Sequence, residues 1–593
     1  MLNYALLVVL IVGVWVIQFF TFLGLGLWSL RVFSQAELTL NKSLKLVWIG
    51  WAGCVGFLQI LHLFAPIQVT AQVFIFVLAV AAFYFCRREL SDLRRDVKKQ
   101  FGSNFRWLII LPILLVLAIL SACADWHYDS GNYHQQSVLW ASQSSVVPGL
   151  GNLHVRLAFN SSLHLYLALL DVGLLKGNAG HLGNSFLMAL ALVTVLSKCI
   201  TKDRETSIVS FTAWLVLPGL VALAHPLNVA TLTTDLAVGI VELVTCFLLV
   251  ELFEQEQAQT SRDKYIALVI LAAVGVTIKL SIVLFSASAI LVVTILLVRR
   301  QPRILNTKAV WSVCGALSLV VVGWIAHGII LSGYPLFPSP LFPMPVEWRV
   351  PLKTAVELNG WIRAWPRLVE DNSMARQYQD ILSNWDWLKP WFLALARNIW
   401  GFKIPVAMLA VGTGFTGWLL LRSKHRAKLK WGMVASFPVI GMNGALLVAL
   451  FFYLPDIRFA WCLIWFTAAL VLATSLAVLD GNKRLFAFRI VAILSLALTA
   501  KSLHGSVKWL KAHWNPPESS TAVIEIKTQT GLVLNVPKTG EQCFKAVLPC
   551  TPYPSPALSK RENGGFKVEP FSEDSIVGWY TKEMPWELMK SGN

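Results

Sequence analysis

Apolar runs of about 18 residues or more recur along the chain from Leu2 to about Leu503. Each is long enough to cross the roughly 30 Å hydrocarbon core of a bilayer as an α-helix. A β-barrel would instead show short segments of alternating polarity. The pattern therefore predicts an all-α polytopic membrane protein with about fourteen transmembrane helices. We place them at residues 3–30, 44–64, 69–86, 107–123, 183–199, 208–224, 236–252, 265–279, 282–298, 309–331, 403–421, 432–453, 459–479 and 485–503.

The chain changes character after about Leu503, where it becomes hydrophilic. Two β-like runs, Thr521–Lys527 and Gly531–Pro537, flank a turn there. We expect three parts: N-terminal helices with a basic cytoplasmic loop (1–106), a transmembrane module (107–503), and a small α/β or β-rich domain (504–593). That last domain either covers a site or packs as an appendage.

Composition supports this class and excludes others. Hydrophobic residues make up 56% of the chain and charged residues only 14%, against roughly 25% charged in soluble domains. A soluble enzyme, a disordered chain and a coiled coil are excluded. The net charge of +18 does not indicate a nucleic-acid partner, because the basic residues lie in short loops between spans.

Basic residues also orient the chain. The loop from Cys86 to Arg106 contains seven of them, and further clusters lie at 299–308 and 422–430. All three fall on one side of the predicted topology, which the positive-inside rule assigns to the cytoplasm. The opposite, extracytoplasmic side receives the loops 124–182, 225–235, 332–402 and 454–458 and the C-terminal tail.

Two of the nine cysteines, Cys543 and Cys550, lie in that tail. On an oxidising side of the membrane they would pair as a disulfide; the alternative is two free thiols. The other seven lie in or at the ends of predicted spans, where cysteine acts as a small apolar residue.

The first outer loop collects polar chemistry directly after a span. Asp125 and Asp129 would share a face if the stretch is helical, and His134 follows closely. Asp129 is the candidate base, because a carboxylate near a low-dielectric surface can accept a proton from a hydroxyl. The alternative is that both carboxylates are solvated or cap a helix.

The same loop continues with His154, Arg156 and Asn160, and we expect a helical stretch from about Leu157 to Leu175 to lie along the membrane interface. Arg156 would bind an anionic group or anchor the chain to lipid headgroups. The third outer loop begins near Tyr334 and is rich in Trp and Pro. Its aromatic residues would form an interfacial belt, or stack on carbohydrate or lipid.

Three more charged residues lie at the outer ends of spans. Asp235 opens a span and is either functional or a helix cap. Lys279 lies at a tight turn between two spans, where it either acts in function or extends to the interface. Arg458 lies in a short turn and needs an anionic partner, such as Asp456 or a phosphate.

Acidic and cationic groups thus meet at one face of the membrane. A carboxylate base beside phosphate-binding cations suits transfer from a lipid-linked phosphate donor, whose phosphate leaves with negative charge and whose polyprenyl tail stays in the bilayer.

At these residues the sequence resembles the GT-C superfamily of integral-membrane glycosyltransferases. Members place an acidic residue in the first long outer loop, then an interfacial helix, then a second acidic residue at the next outer loop. Asp129, the stretch after Asn160, and Asp235 follow that order if the module starts at the span 107–123. Three spans precede it, which departs from the simplest GT-C layout.

The chain also resembles a group of bacterial multi-pass membrane proteins over most of its length, which implies a bacterial inner (plasma) membrane. The similar stretches are Tyr128–His134, Val147–His154, Phe159–Ser162, Gly333–Ser339, Pro455–Phe459 and the Cys543/Cys550 pair.

The GT-C resemblance implies a polyprenyl-phosphate sugar donor and a lipid, lipid-linked glycan or protein acceptor. Asp129 would activate the acceptor hydroxyl, with inversion, and Asp125 or Asp235 would position the acceptor or a metal ion. Arg458, Lys279 and Arg156 would hold the donor phosphate. The remaining candidate substrate-binding residues are His134, His154, Asn160 and Tyr334. No Asp-x-Asp motif is present, so the use of a divalent metal ion stays open.

Three other functions share these features. A transporter or flippase for lipid-linked glycans would place charges deep within several spans, and a polysaccharide polymerase would use the same substrates. A non-enzymatic assembly scaffold would tolerate alanine at the charged positions.

Overall fold

The computed structural model describes residues 2–33, 40–103, 110–200, 206–254, 258–300, 302–368, 377–513 and 522–579. This part of the chain is mainly α-helical, with four short strands after the last helix. The helices are α1 (Leu2–Phe33), α2 (Leu40–His62), α3 (Val69–Phe85), α4 (Arg87–Ser103), α5 (Ile110–Ser121), α6 (Gln135–Gln143), α7 (Leu150–Leu153), α8 (Ser162–Leu169), α9 (Ala179–Ile200), α10 (Ile208–Leu223), α11 (Pro226–Val229), α12 (Thr234–Glu254), α13 (Ala258–Ile278), α14 (Val283–Arg300), α15 (Lys308–Ser332), α16 (Leu352–Ala364), α17 (Tyr378–Ser383), α18 (Leu388–Arg397), α19 (Ile404–Leu421), α20 (Ser423–Tyr453), α21 (Trp461–Ala477) and α22 (Gly481–Ala512).

Within the described residues, nine helices are long and apolar enough to cross a membrane: α1, α2, α9, α12, α14, α15, α19, α20 and α22. A tenth candidate is the pair α3 and α4, which is bent by 76° at the break between them. The chain is therefore a multi-pass helical membrane protein.

The count of about fourteen spans is not confirmed, although a helix covers each predicted segment. Three of the helices, α5, α10 and α21, are described over only 12, 16 and 17 residues. Helix α13 starts earlier than predicted and carries Arg262, Asp263 and Lys264 near its beginning. Helix α22 runs on to Ala512, nine residues beyond the predicted end of the last span.

The predicted basic loop after Cys86 is a helix over most of its length. Helix α4 carries its basic residues on one side, while Leu90 and Leu93 pack against the hydrophobic core. This amphipathic pattern explains why the segment is helical although it is too polar to span a membrane. Arg106 of this loop and Thr521 of the first β-like run lie outside the described residues.

Helix α12 lies at the centre of the bundle, in contact with α9, α13, α20 and α21. Asp235 is in its first turn, and Glu251 is near its other end, about 24 Å away at 1.5 Å per residue. Glu251 is buried and pairs with Lys198 and Lys264. One buried helix thus joins two ionic clusters near its two ends, and the cluster at Asp235 adjoins a large cavity.

The C-terminal domain consists of two β-hairpins. Strands β1 (Val523–Lys527) and β2 (Val533–Pro537) pair antiparallel, as do β3 (Leu558–Lys560) and β4 (Phe566–Val568). The first hairpin corresponds to the two predicted β-like runs, whereas the second was not predicted. Between the hairpins, Cys543 and Cys550 form a disulfide, so of the two alternatives the structure has the paired state.

The C-terminal domain docks on the segment that carries Asp129. The Phe544 N–H donates to the Gly131 carbonyl at 2.9 Å. The Gln136 side chain donates to the carbonyls of Phe544 and Ala546 at 3.0 and 3.1 Å. A side chain at Gly131 would place Cβ 2.6 Å from the Phe544 ring, so glycine permits this close approach. The domain is thereby held over the large cavity.

Candidate active site

Five charged residues predicted to act together line one cavity of about 1680 Å³. They come from widely separated parts of the chain, and the helix ends bring them to one end of the bundle. The five are Asp129, Arg156, Asp235, Lys279 and Arg458. This convergence makes the cavity the candidate active site.

Asp129 and Arg156 form the first ion pair. Asp129 immediately precedes a π-helical turn, Ser130–His134, a type of turn that is frequent at functional sites. Arg156 Nη1 lies 2.7 Å from Asp129 Oδ1, and its guanidinium lies against the rings of Tyr133 and Trp579, 5.5 and 5.4 Å from their centroids. Burial disfavours the charged guanidinium, but the Asp129 carboxylate together with Tyr133, Tyr553 and Tyr128 outweighs burial and raises the pKa of Arg156. Arg156 is therefore a fixed positive charge.

Asp235 is the centre of the second ionic group. Its carboxylate accepts from Lys279 Nζ and lies 3.8 Å from Arg458 Nε. Arg458 Nε is also 2.9 Å from Asp456. The ring of Phe459 lies beside both cations, 4.4 Å from Lys279 Nζ and 4.8 Å from Arg458 Cζ. Asp235 is therefore more than a helix cap, because it gathers two cations at the cavity wall.

Local backbone structure places these two cations. Lys279 lies in an extended break between α13 and a 3-10 turn, Leu280–Ile282, that leads into α14. Arg458 lies in a second 3-10 turn, between α20 and α21. Burial opposes its charge, but Asp235, Asp456 and Asp129 together with Tyr133 outweigh burial and raise the pKa of Arg458. Its side chain is 46% exposed, so it is available to a ligand.

Three neutral imidazoles line the same cavity. The ring of His134 is 5.8 Å from that of His127 and 5.2 Å from that of His164. Burial lowers the pKa of His127, and burial with its imidazole neighbours lowers the pKa of His134 well below the usual range. Burial also lowers the pKa of His164 to about 4. These rings offer hydrogen bonds at neutral pH without adding positive charge.

Three predicted binding residues lie outside the cavity wall. His154 is buried and its Nδ1 accepts from the Arg156 N–H at 3.1 Å. Asn160 has a positive φ of 51° and exchanges two hydrogen bonds with Trp324, at 2.7 and 2.9 Å. Tyr334 is fully buried, and its hydroxyl donates to the Val350 carbonyl at 3.0 Å. These side chains support the loops that carry the site.

Asp125 also differs from expectation. Residues 124–127 are not helical, so Asp125 and Asp129 do not share a helix face. Asp125 Oδ1 accepts from the His127 N–H at 3.0 Å, and burial raises the pKa of this carboxyl to about 6. It is not part of the cavity wall. The expected interfacial helix also differs, because this stretch holds only the short and fully buried α8 between two 3-10 turns.

The C-terminal domain contributes cavity residues that the sequence did not indicate. Glu541, Tyr553 and Trp579 line the wall, although they are more than 400 positions from Asp129. Tyr128 joins the two regions, because its hydroxyl donates to Glu541 Oε2 at 2.6 Å. No local sequence pattern marks these residues; their role follows from the docking of the domain.

The cavity also has a long apolar wall. It is formed by side chains of α14, α15 and α20, each a candidate span. Its residues include Val283, Leu284, Val321, Ile325 and Leu450. The charged end of the cavity therefore continues into an apolar groove between these candidate spans. Such a groove suits a ligand with a charged head and an apolar tail.

A divalent metal ion does not fit the two predicted carboxylates of this cavity. Asp129 and Asp235 are each engaged by a cation. In the part of the chain that the structure describes, no group of three or more His, Cys, Asp or Glu residues is arranged to hold a metal ion.

Comparison with known proteins gives a family but no characterised relative. The chain belongs to the family described as "Domain of unknown function (DUF8201)", whose model matches residues 8–465. The five predicted charged residues of the cavity all lie within that match, whereas the C-terminal domain lies beyond it. No curated protein and no solved structure matches the chain.

Proposed function

We propose that this protein is a GT-C-type glycosyltransferase that moves a sugar from a polyprenyl-phosphate donor to an acceptor at the extracytoplasmic face of a bacterial inner membrane. The observation that carries the proposal is the single cavity in which a carboxylate, three cations and a long apolar groove meet.

The shape and polarity of the cavity support a lipid-linked donor. The apolar wall between α14, α15 and α20 can take a hydrocarbon tail. Lys279 and Arg458 lie at the charged end of the cavity, where both are close to the carboxylate of Asp235. A phosphate placed there would receive charge-assisted hydrogen bonds from both cations, and Asp235 would keep them in position in the absence of the donor.

The same cations serve the leaving group. When the bond between the anomeric carbon and the phosphate oxygen breaks, the electron pair stays on the phosphate, which leaves as polyprenyl phosphate. Positive charge already in place at that oxygen stabilises the transition state without reorganisation. Arg458 and Lys279 are the groups proposed for this role.

Asp129 is the proposed base. An acceptor hydroxyl would lose its proton to the Asp129 carboxylate as its oxygen forms the new bond to the anomeric carbon, on the side opposite the phosphate, with inversion. Arg156, 2.7 Å away, orients the carboxylate. Asp235 is proposed to position the cations, and Asp125, which is outside the wall, is given no role.

The test measures sugar transfer by purified protein from a panel of polyprenyl-phosphate sugars to a membrane-lipid extract. We expect Asp129→Asn to lower transfer by about 100-fold or more, the usual contribution of a general base, while binding of polyprenyl phosphate is retained. Arg458→Gln should weaken that binding at least about tenfold, as for loss of a hydrogen bond to a charged group, and leave binding of uncharged polyprenol unchanged.

The matched controls are Asp386→Asn and Arg489→Gln, which change exposed residues away from the cavity and should behave like the parent. Equal transfer by Asp129→Asn and the parent would exclude Asp129 as the base. Donor binding with no transfer from any donor, together with movement of labelled donor across vesicle membranes, would favour a flippase instead.

A further inference from the structure

We infer that the C-terminal domain forms a binding subsite for an uncharged, hydroxyl-rich saccharide in the same cavity, and that this saccharide is the acceptor. The inference rests on the proposed function for the word acceptor, but the subsite itself is argued from the wall that the domain contributes.

The chemistry of that wall selects against a second anionic group. Within the described residues, the domain contributes Glu541, Tyr553, Asp574, Ile576 and Trp579 to the cavity, and none of these is a cation. Carboxylates repel phosphate and uronate, but they accept short, strong hydrogen bonds from hydroxyl groups. The wall therefore suits a ligand that is rich in hydroxyl donors.

The facing wall does not reverse this preference. Helix α16 contributes Lys353 and Glu357, which are one turn apart on the same helix face and carry opposite charges. Arg156 also lies against this domain, at Trp579, but it is paired with Asp129. Near the C-terminal domain the cavity thus has no excess of positive charge among these residues. The cations that would bind the donor phosphate, Lys279 and Arg458, are gathered instead around Asp235.

Glu541 is held in place before any ligand arrives. Its Oε2 accepts from the Tyr128 hydroxyl at 2.6 Å, and its backbone carbonyl accepts from Asn132 Nδ2 at 2.6 Å. Gln542 adds a third link, to the Tyr128 carbonyl at 2.8 Å. A carboxylate has about four acceptor positions, so Glu541 can accept further hydrogen bonds from a ligand. Such preorganisation lowers the entropic cost of binding.

Trp579 and Tyr553 supply rings next to the proposed base. Their centroids are 6.3 Å apart. Arg156 lies against Trp579 and is bonded to Asp129. Aromatic rings offer a flat apolar face together with a polar edge, as the face of a sugar ring requires. A saccharide resting on these rings would present a hydroxyl towards Asp129.

The test of the subsite is saturation-transfer difference NMR on the purified full-length protein in detergent, which detects weakly bound soluble saccharides. The probes are maltotetraose, chitotetraose and galactotetraose, with tetragalacturonate as the acidic counterpart. We expect a saturation-transfer difference signal from at least one uncharged tetrasaccharide and no such signal from the acidic one. Glu541→Gln and Trp579→Phe should weaken this binding at least about tenfold and fivefold, as expected for a lost charged hydrogen bond and a reduced ring contact.

Matched controls separate the subsite from general damage. Glu562→Gln changes an exposed carboxylate of the same domain, and Trp311→Phe an exposed tryptophan of α15, neither of which lines the cavity. Both should bind saccharide like the parent. No saturation of any uncharged probe, a preference for the acidic one, or unchanged binding by Glu541→Gln would overturn the subsite.

A second readout distinguishes this inference from the proposed function. If sugar transfer occurs, Glu541→Gln should raise the KM for acceptor, whereas Glu562→Gln should leave that KM unchanged. Transfer with an unaltered acceptor KM would remove the subsite and leave the glycosyltransferase standing. Saccharide binding that needs Glu541, with no transfer from any donor, would keep the subsite and remove the transferase.

Discussion

At the scale of single residues, the two ionic groups built on Asp129 and Asp235 are each electrically balanced before a ligand binds. Asp129 faces Arg156, and Asp235 with Asp456 faces Lys279 and Arg458. Each cation has a carboxylate partner, which limits the cost of holding charge in a partly buried site. Both groups act on His127, whose pKa is influenced by Asp129, Asp235, Lys279 and Arg458 together with the dominant effect of burial.

The neutral histidines make stability depend on pH. An unfolded histidine binds a proton near its ordinary pKa of 6.5, whereas folded His164 does so only near 4. Between these values the unfolded state holds more protons, so stability is lost as the pH falls from about 6.5 to about 4. His164 alone would account for up to about 3 kcal/mol over that range.

We expect thermal unfolding of the purified protein to show this loss, and His164→Gln to flatten the decrease in Tm between pH 7 and pH 4.5. The exposed His504 provides the control, and His504→Gln should retain the parent slope. Asp125 acts in the opposite sense, because its pKa is raised to about 6, so the comparison is made between slopes and not between absolute values. A parent-like slope for His164→Gln would contradict this reading of His164.

At the scale of elements, short turns, and not the long helices, position the charged side chains of the cavity. The π-helical turn after Asp129 and the 3-10 turns at Lys279 and Arg458 all lie at or near helix ends. There the backbone can leave regular helical geometry and aim side chains into the cavity. The helices between them supply a rigid frame through close packing.

Gly131 is the element-scale contact most open to test. Gly131→Ala would place Cβ 2.6 Å from the Phe544 ring, and overpacking of this kind costs about 1–3 kcal/mol. We expect the C-terminal domain to become more susceptible to limited proteolysis, while the helical signal in circular dichroism is unchanged.

Two variants serve as controls for that experiment. Gly505→Ala, in α22, meets open space and should leave proteolysis unchanged. Phe544→Ala added to Gly131→Ala removes the clash and should restore part of the protection. Full protection of Gly131→Ala alone would show that the docking tolerates the extra methyl group and that glycine is not needed there.

At the scale of the whole molecule, the arrangement predicts a membrane topology. The basic helix α4 should face the cytoplasm by the positive-inside rule. The disulfide of the C-terminal domain belongs in an oxidising compartment. The cavity and the C-terminal domain should therefore share the extracytoplasmic side.

Cysteine labelling with a membrane-impermeant maleimide tests this topology. Glu562→Cys should be labelled in intact cells, and Ser91→Cys only after the membrane is permeabilised, because both positions are exposed and we expect them on opposite sides of the membrane. The parent is the control, since its free cysteines within the described residues are buried, apart from the half-buried Cys314. The reverse labelling pattern would overturn the topology and with it the extracytoplasmic placement of the site.

The helical membrane class and the positions of nearly all the long helices could be predicted from the amino-acid sequence alone. Continuous apolar runs have few alternatives in a bilayer, because each backbone polar group must be satisfied within the segment. The sequence also singled out Asp129, Arg156, Asp235, Lys279 and Arg458, because charged residues at the ends of apolar runs are costly unless they are used.

Which of these residues face one another is visible only in the folded protein. The pairing of Asp235 with Lys279 and Arg458 depends on how α12, α13 and α21 pack, and no local pattern encodes such packing. The same holds for Asn160 and Tyr334, which were predicted to bind substrate but do not line the cavity. Their side chains instead donate hydrogen bonds to backbone carbonyls. The contribution of Glu541 and Trp579 required the docking of a domain more than 400 positions from Asp129, an arrangement set by surface complementarity and not by the sequence around either end.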